Sequence, residues 1–189
     1  MPCNGGFPQT VVAGEMSVFT HLQRLVSSSS VWPMSTSDPH KPISVKAIGL
    51  VWREGRLLAA DVPDGEGRIS GVRPLGGSVE FGELSEAALA REFREELGVE
   101  IEFVSGPLIF ENLYTFGGSP GHEVMFVFEV EFPLGELMAG DEIVFHESDG
   151  TRNVARCYDP DELDCPGYPE LYPKGLKSAL ARLGLAARA

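Results

Sequence analysis

Runs of apolar residues predict strands on both sides of one amphipathic helix. Residues 44–54 and 56–62 are apolar and β-branched, and Glu54-Gly55 between them predicts a hairpin. The other expected strands are residues 99–116, residues 122–132, a short strand near Ile143 in an acidic loop, and residues 151–158.

Two segments have the pattern of helices. The first is Glu86–Leu97, with Ser85 as the expected N-cap and Gly98 as the residue that ends it. The second is an amphipathic stretch at Gly175–Ala187. Strands that mix with a central and a terminal helix predict an α/β or α+β domain built on a mixed sheet.

The chain divides into a tail and one domain. Residues 27–42 read SSSSVWPMSTSDPHKP, which is rich in Ser and Pro and lacks sustained periodicity. We therefore expect residues 1–42 to be a flexible or loosely packed tail, with room for a short helix within Thr10–Val26. Residues 43–189 are expected to form the domain.

Composition and charge narrow the classes of function. The formal net charge of −13 argues against general nucleic-acid binding, which needs a basic surface. No apolar run is long enough to span a bilayer. The three cysteines Cys3, Cys157 and Cys165 lack CxxC spacing, which is typical of reduced thiols in a cytoplasmic protein. If the substrate carries phosphates, a bound divalent metal is the obvious counter-charge.

The first helix carries clustered acids. On a helical wheel Leu89, Ala90, Phe93 and Leu97 form the core-facing stripe. Beside that stripe, three carboxylates share an arc of roughly 100°; they are Glu92, Glu95 and Glu96. Like charges at this spacing destabilise a helix, and hard cations such as Mg²⁺ prefer clustered carboxylate oxygens. A solvated acidic face is the alternative, which the adjoining core stripe and the preceding glycine-rich loop weaken.

The same segment resembles a family motif. Gly77, five residues, Glu83, seven residues and then the sequence of Arg91–Val99 resemble the complete Nudix box at every defining position. Residues 73–77 read RPLGG, as in a bacterial Nudix subgroup. The resemblance implies a Nudix domain over residues 43–180, folded as an α/β/α sandwich around a mixed sheet.

The resemblance also implies a metal site. Glu92 and Glu96 would be the main ligands, Glu95 a third ligand or a contributor through water, and the carbonyl of Gly76 a further one. The metal would be Mg²⁺, two or more ions, with Mn²⁺ as a possible substitute.

Other residues of the box would support these ligands. Arg91 would orient the acids by ion pairing. Glu83 would stabilise the box or its metal ligands without binding the metal itself. Gly77, Gly82 and Gly98 would shape the backbone, and Phe93 and Val99 would belong to the core.

In this family the general base varies in position, and the sequence leaves it open. We favour Glu123 or the acids of the loop that follows residue 132. The candidates are Glu111, Glu123, Glu129, Glu136, Asp141, Glu142 and Glu147.

The resemblance implies hydrolysis of a diphosphate bond in a nucleoside diphosphate linked to another group. Arg73 either contacts a phosphate or is an ordinary surface arginine, and Glu123 and Tyr114 are further candidates for substrate contact. Phe116, Tyr158 and Tyr172 would equally serve stacking on a base or packing. A nucleotide-sensing module and an isoprenoid diphosphate isomerase are the alternatives, and a homodimer is compatible with the sequence.

Overall fold

A computed structural model describes residues 42–64, 66–133, 142–147 and 150–184. The expected N-terminal tail, including the short helix within Thr10–Val26, lies outside the described residues. No helix of the described ranges is long and apolar enough to cross a membrane.

The described chain contains ten strands and two helices. In chain order they are β1 Ser44–Leu50, β2 Trp52–Arg53, β3 Arg56–Pro63, β4 Ile69–Arg73, β5 Leu75–Ser78, α1 Ser85–Leu97, β6 Glu102–Phe116, β7 Ser119–Glu131, β8 Glu142–His146, β9 Arg152–Tyr158, β10 Glu170–Leu171 and α2 Leu176–Leu183.

The strands form two sheets. The first has the order β5-β1-β7-β6, in which β1 and β7 run parallel and the other neighbours run antiparallel. The second has the order β10-β4-β3-β9-β8, with β2 paired to β3. The predicted α/β class with a mixed sheet is confirmed, whereas the pattern of apolar runs did not predict the division into two sheets.

The first sheet lies between two cores, each closed by one helix. Ala47 of β1 belongs to the core that contains Phe93 of α1. The next residue, Ile48, belongs to the core that contains Leu180 of α2. Successive side chains of a strand point to opposite faces, so β1 contributes to both cores. This layering packs α1 against one face of the first sheet, over β5 and β1.

The turn between β2 and β3 matches its prediction. Glu54 and Gly55 have φ of 51° and 74°, the left-handed values that a two-residue turn of type I′ requires. Arg53 then pairs with Arg56 across the turn.

The ends of α1 agree with the prediction on one side only. The assignment of Ser85 as the N-cap was wrong: Ser85 is the first helical residue, and Leu84 precedes it in an extended conformation without a side-chain cap. Gly98 ends the helix with φ 69°; its N–H donates to the carbonyl of Arg94, and the N–H of Val99 donates to the carbonyl of Phe93. The left-handed conformation explains why glycine stands at this position.

The buried face of α1 is close to the predicted stripe. Leu89, Phe93 and Leu97 are buried as expected. Ala88 is the fourth buried residue, whereas Ala90 is only half-buried. The core stripe is therefore rotated slightly away from the side that carries Ala90.

The C-terminal part was predicted in outline. Strands β8 and β9 occur where they were expected, while the short β10 was not predicted. Helix α2 begins after Gly175 as expected and ends at Gly184, where φ is 67°. The last residues of the predicted helix, 185–187, lie outside the described residues.

Candidate active site

The loop between β5 and α1 brings the box acids over the end of the first sheet. Gly77 pairs with Ala47 on the face that α1 covers. A Cβ built on Gly77 would lie 2.2 Å from Cδ and Oε1 of Glu92. The missing side chain of Gly77 therefore provides the space for the Glu92 carboxylate.

Arg91 is the centre of a hydrogen-bond network. Its Nε and Nη2 donate to the two oxygens of Glu83, at 3.0 and 3.1 Å. Its Nη1 donates to Glu92 at 3.0 Å and to Glu95 at 3.1 Å. Nη2 also donates to the carbonyl of Ser78 at 3.0 Å. The hydrogen bonds that Arg91 donates to Glu83 raise the pKa of Arg91 most; burial opposes this rise, and the bonds to Glu92 and Glu95 add to it. One guanidinium thus joins the loop, β5 and two acids of α1.

Glu96 is partly buried beside other acidic side chains. Burial raises the pKa of Glu96 to about 8, together with the charge of Glu147, a hydrogen bond with Glu147 and the charge of Glu92. Arg73 opposes this rise. Two carboxyl groups in contact repel each other when both are ionised, so the contact with Glu147 disfavours the ionised form of Glu96.

Glu147 reaches α1 from the second sheet. It follows β8, and its backbone N–H donates to the carbonyl of Thr151 at 2.9 Å. Nδ2 of Asn153, on β9, donates to its Oε1 at 2.8 Å. The β8–β9 connection therefore holds this carboxylate against Glu96, and the role of Asn153 had no signal in the sequence.

Lys46 on β1 is a charged residue of the site that the sequence analysis missed. Its Nζ donates to Oγ of Ser78 at 2.7 Å. Burial and the charge of Arg73 lower the pKa of Lys46, while Glu123, Glu92 and Glu147 act in the opposite direction. Lysines are common on strand surfaces, so only the folded arrangement shows that this one faces the acids.

The structure separates the candidate bases from one another. Glu123 is buried on β7 and accepts a hydrogen bond from Nδ2 of Asn112 at 2.7 Å. Glu111 is exposed, with an oxygen 2.9 Å from Nε2 of His122. Among the described candidates, Glu147 is the one whose carboxyl contacts an acid of the box.

The remaining candidates have other surroundings or lie outside the description. Glu129 is buried and accepts from Oγ of Ser105 at 2.9 Å. Glu142 accepts from Nη2 of Arg156 at 3.0 Å. Glu136 and Asp141 lie outside the described residues.

The family model of the NUDIX domain matches residues 41–179. This match spans well over half of the chain. The chain belongs to the Nudix family. No curated protein matches the sequence.

Solved structures resemble this chain over most of its length. The solution structure of the E. coli ORF135 protein is 22% identical, covers 79% of this chain and 96% of its own, and gives a TM-score of 0.50. At this identity the likeness concerns the fold alone. A MutT Nudix hydrolase from Burkholderia pseudomallei is 18% identical over 72% of this chain and 96% of its own, with a TM-score of 0.48. An ADP-ribose pyrophosphatase from Streptococcus suis is 15% identical over 78% of this chain and 94% of its own, with a TM-score of 0.42.

Membership of the Nudix family confirms the predicted class of enzyme, a Nudix pyrophosphohydrolase. Nudix enzymes act on small nucleotide-type substrates and in general depend on a divalent metal. These statements hold for the family, and the metal and the substrate of this chain are proposals.

The donor set of the site suits a hard divalent cation. Glu92, Glu96 and Glu147 offer carboxylate oxygens around a half-buried position where negative charge is in excess. As they stand, no three His, Cys, Asp or Glu side chains of the described ranges are arranged to hold a metal. Arg91 explains part of this, because it holds Glu92 and Glu95. Each hydrogen bond engages one oxygen of its carboxylate, and the second oxygen of each would bind the metal.

The aromatic candidates for base stacking have partners within the fold. The ring of Tyr114 covers Gly121 on the neighbouring strand, where a Cβ would lie 2.3 Å from the ring. Tyr172 covers Gly71 in the same way. Tyr158 donates to Asp61. Nothing is described of the side chain of Phe116. Tyr114 remains half-exposed and stays a candidate for substrate contact.

Proposed function

We propose that this protein is a Mg²⁺-dependent hydrolase that cleaves the diphosphate bond of a nucleoside diphosphate linked to another group. One observation carries the proposal. Burial of Glu96, its contact with Glu147 and the charges of Glu147 and Glu92 raise the pKa of Glu96 to about 8. Such an arrangement is costly in the metal-free protein, and a divalent cation would make it favourable.

The proposed ligands are Glu92, Glu96, Glu95 and the backbone carbonyl of Gly76. When bound, Mg²⁺ supplies neutralisation of the diphosphate oxygens and a water that loses its proton more readily. Mn²⁺ has the same preference for oxygen ligands and is the proposed substitute. The formal charge of −13 on the chain repels a polyanionic substrate, so a bound cation would favour its approach.

The protein's own residues divide the remaining work. Arg91, held by both oxygens of Glu83, fixes the carboxylates of Glu92 and Glu95 before the substrate arrives. Its fork geometry gives each acid a defined direction. This arrangement reduces the reorganisation that the reaction would otherwise require.

Glu147 is the proposed general base. Glu147 contacts Glu96, so its carboxyl lies beside the proposed ligands. Asn153 donates a hydrogen bond to one of the two carboxylate oxygens of Glu147, and the other oxygen takes no part in that bond. The base takes the proton from the attacking water, and the water oxygen then bonds to one phosphorus as the bridging P–O bond breaks. Glu123, which accepts a hydrogen bond from Asn112, is the second candidate for the general base and a proposed neighbour of the substrate.

Arg73 is the proposed contact to a substrate phosphate. It lies close enough to Glu96 and Lys46 to alter the pKa of both groups. Tyr114 is the proposed aromatic contact at the substrate's outer end. A cytoplasmic location and a homodimer remain predictions from the sequence.

The test is a panel of nucleoside diphosphate derivatives, scored for Mg²⁺-dependent release of phosphate-containing products. We expect turnover of at least one member, and a loss of kcat by about 10²-fold or more in Glu96→Gln. Glu86→Gln is the matched control, because Glu86 is exposed in the first turn of the same helix. It should keep wild-type activity.

Two outcomes would contradict the proposal. One is the absence of metal-dependent turnover on a broad panel, and the other is full activity of Glu96→Gln. Tight binding of a nucleotide that is recovered intact would instead support a nucleotide-sensing module.

A further inference from the structure

Lys46 occupies an unusual position for a lysine. It stands on β1, directly opposite Ser78 on β5, and is half-buried between them. Its Nζ donates to the neutral hydroxyl of Ser78 at 2.7 Å. An ammonium group has three N–H donors, so one hydrogen bond to a hydroxyl leaves donors for a further acceptor.

Four charged residues from different parts of the fold act on Lys46. Arg73 at the end of β4 repels it. Glu92 on α1, Glu123 on β7 and Glu147 after β8 attract it. Lys46 is therefore the cation of β1 that faces the same acids as the proposed metal site.

The hydrogen bond to Ser78 holds the ammonium of Lys46 beside the glycine-rich start of the box. Arg73 is a second cation near enough to lower the pKa of Lys46, after the larger effect of burial. A dianionic phosphate that binds both cations would offset their repulsion.

Ser78 connects Lys46 to the box. The hydroxyl of Ser78 accepts from Lys46, and its carbonyl accepts from Arg91. Ser78 therefore holds both Nζ of Lys46 and the guanidinium of Arg91, which bonds to the acids of the box. Through Ser78, the ammonium of Lys46 is held in a fixed position relative to these acids.

We propose that Lys46 is a substrate-binding residue that holds the diphosphate group together with Arg73, and that Ser78 positions its ammonium beforehand. This inference rests on the proposed function, since the ligand is the diphosphate of that substrate. It assigns Lys46 to phosphate binding and leaves the neighbouring carboxylates to the metal.

The test measures binding apart from turnover. Methylene diphosphonate, whose P–C–P bridge resists hydrolysis, is titrated calorimetrically into the full chain with Mg²⁺. Lys46→Met keeps an unbranched side chain that is one atom shorter and removes the charge, and we expect its Kd to rise about 10- to 100-fold. Lys46→Arg should recover most of the affinity. Lys174→Met is the control, because Lys174 is an exposed lysine paired with Glu170.

Kinetics on a substrate found by the panel give a second readout. Lys46→Met should raise KM more than it lowers kcat, because the lost contact is present in both the bound substrate and the transition state. Ser78→Ala keeps the charge but removes the acceptor, and should raise the Kd of the diphosphonate by a smaller factor. Ser78→Ala also covers the case in which Lys46→Met does not fold.

An unchanged diphosphonate affinity in folded Lys46→Met would overturn the inference, as would an absence of diphosphonate binding by the wild type. A wild type that hydrolyses the panel substrates while Lys46→Met binds normally would refute the inference alone. A wild type that binds the diphosphonate through Lys46 but hydrolyses nothing would refute the proposed function alone.

Discussion

The carboxylate of Glu92 lies in the space that a side chain on Gly77 would fill. A Cβ there would be 2.2 Å from Cδ of Glu92. The backbone of Gly77 is not left-handed, so alanine is tolerated there by the main chain, and the conflict is with the end of a flexible side chain. Gly77→Ala should therefore move the Glu92 carboxylate with a stability change within about 1 kcal/mol. We expect Mg²⁺-dependent kcat to fall by about 10²-fold while the melting temperature changes little.

The adjacent glycine provides a contrasting control. Gly76 has φ of 134°, and a Cβ on it would lie 2.2 Å from the carbonyl oxygen of Ala47. The conflict is with rigid backbone, so Gly76→Ala should lower the melting temperature clearly. If Gly77→Ala lowered stability as much as Gly76→Ala, or kept full activity, the steric account of Gly77 would be wrong.

Arg91 should not be replaceable by lysine. Its guanidinium bonds to both oxygens of Glu83 and at the same time to Glu92 and Glu95. A single ammonium cannot form this set of contacts. Arg91→Lys should lose about 10- to 100-fold in activity or in Mg²⁺ affinity, measured by steady-state kinetics across a Mg²⁺ titration. Arg94→Lys, on the exposed side of the same helix, is the control. Equal activity of the two variants would contradict this role.

The raised pKa of Glu96 predicts how the stability of the metal-free protein depends on pH. The folded state keeps a proton on Glu96 up to a pKa of about 8, whereas the unfolded chain loses it near the ordinary glutamate pKa of 4.5. Between these values the folded state binds more protons, so stability falls as pH rises from about 5 to 8 and then levels off. Thermal unfolding in the presence of a chelator should show this decline.

Glu96→Gln should flatten the pH dependence, because the amide does not titrate. Mg²⁺ should stabilise the wild type more at pH 8 than at pH 5, since its ligands must be deprotonated. A pH dependence of the wild type that matches that of Glu96→Gln would show that Glu96 titrates normally.

The box helix could be predicted from the sequence because its signals are local. The wheel identified Leu89, Phe93 and Leu97 as the buried stripe, and Gly98 marked the end of the helix. Serine is a common N-cap, so the sequence predicted Ser85 at that position. In the folded chain the helix begins one residue earlier than predicted, at Ser85 itself.

The rest of the site depends on contacts that no local pattern records. Glu147 reaches Glu96 only because β8 and β9 form the end of a second sheet beside α1. Lys46 is brought to Ser78 by the register of β1 against β5. The sequence included Glu147 among seven candidate acids and did not distinguish it from the others. Register and sheet packing therefore selected residues that residue type alone could not.

Glu147 and Glu123 give the decisive comparison for the general base. Glu147→Gln removes the carboxylate that contacts Glu96, and we expect kcat at saturating Mg²⁺ to fall by about 10²- to 10⁴-fold. Glu123→Gln keeps an oxygen that can accept from Asn112, so the buried pair is preserved and the change in kcat should be small. A large loss in Glu123→Gln with near-normal Glu147→Gln would transfer the role to Glu123.

Asn153→Ala should give an intermediate loss, because it leaves the carboxylate of Glu147 in place but removes the hydrogen bond that directs it.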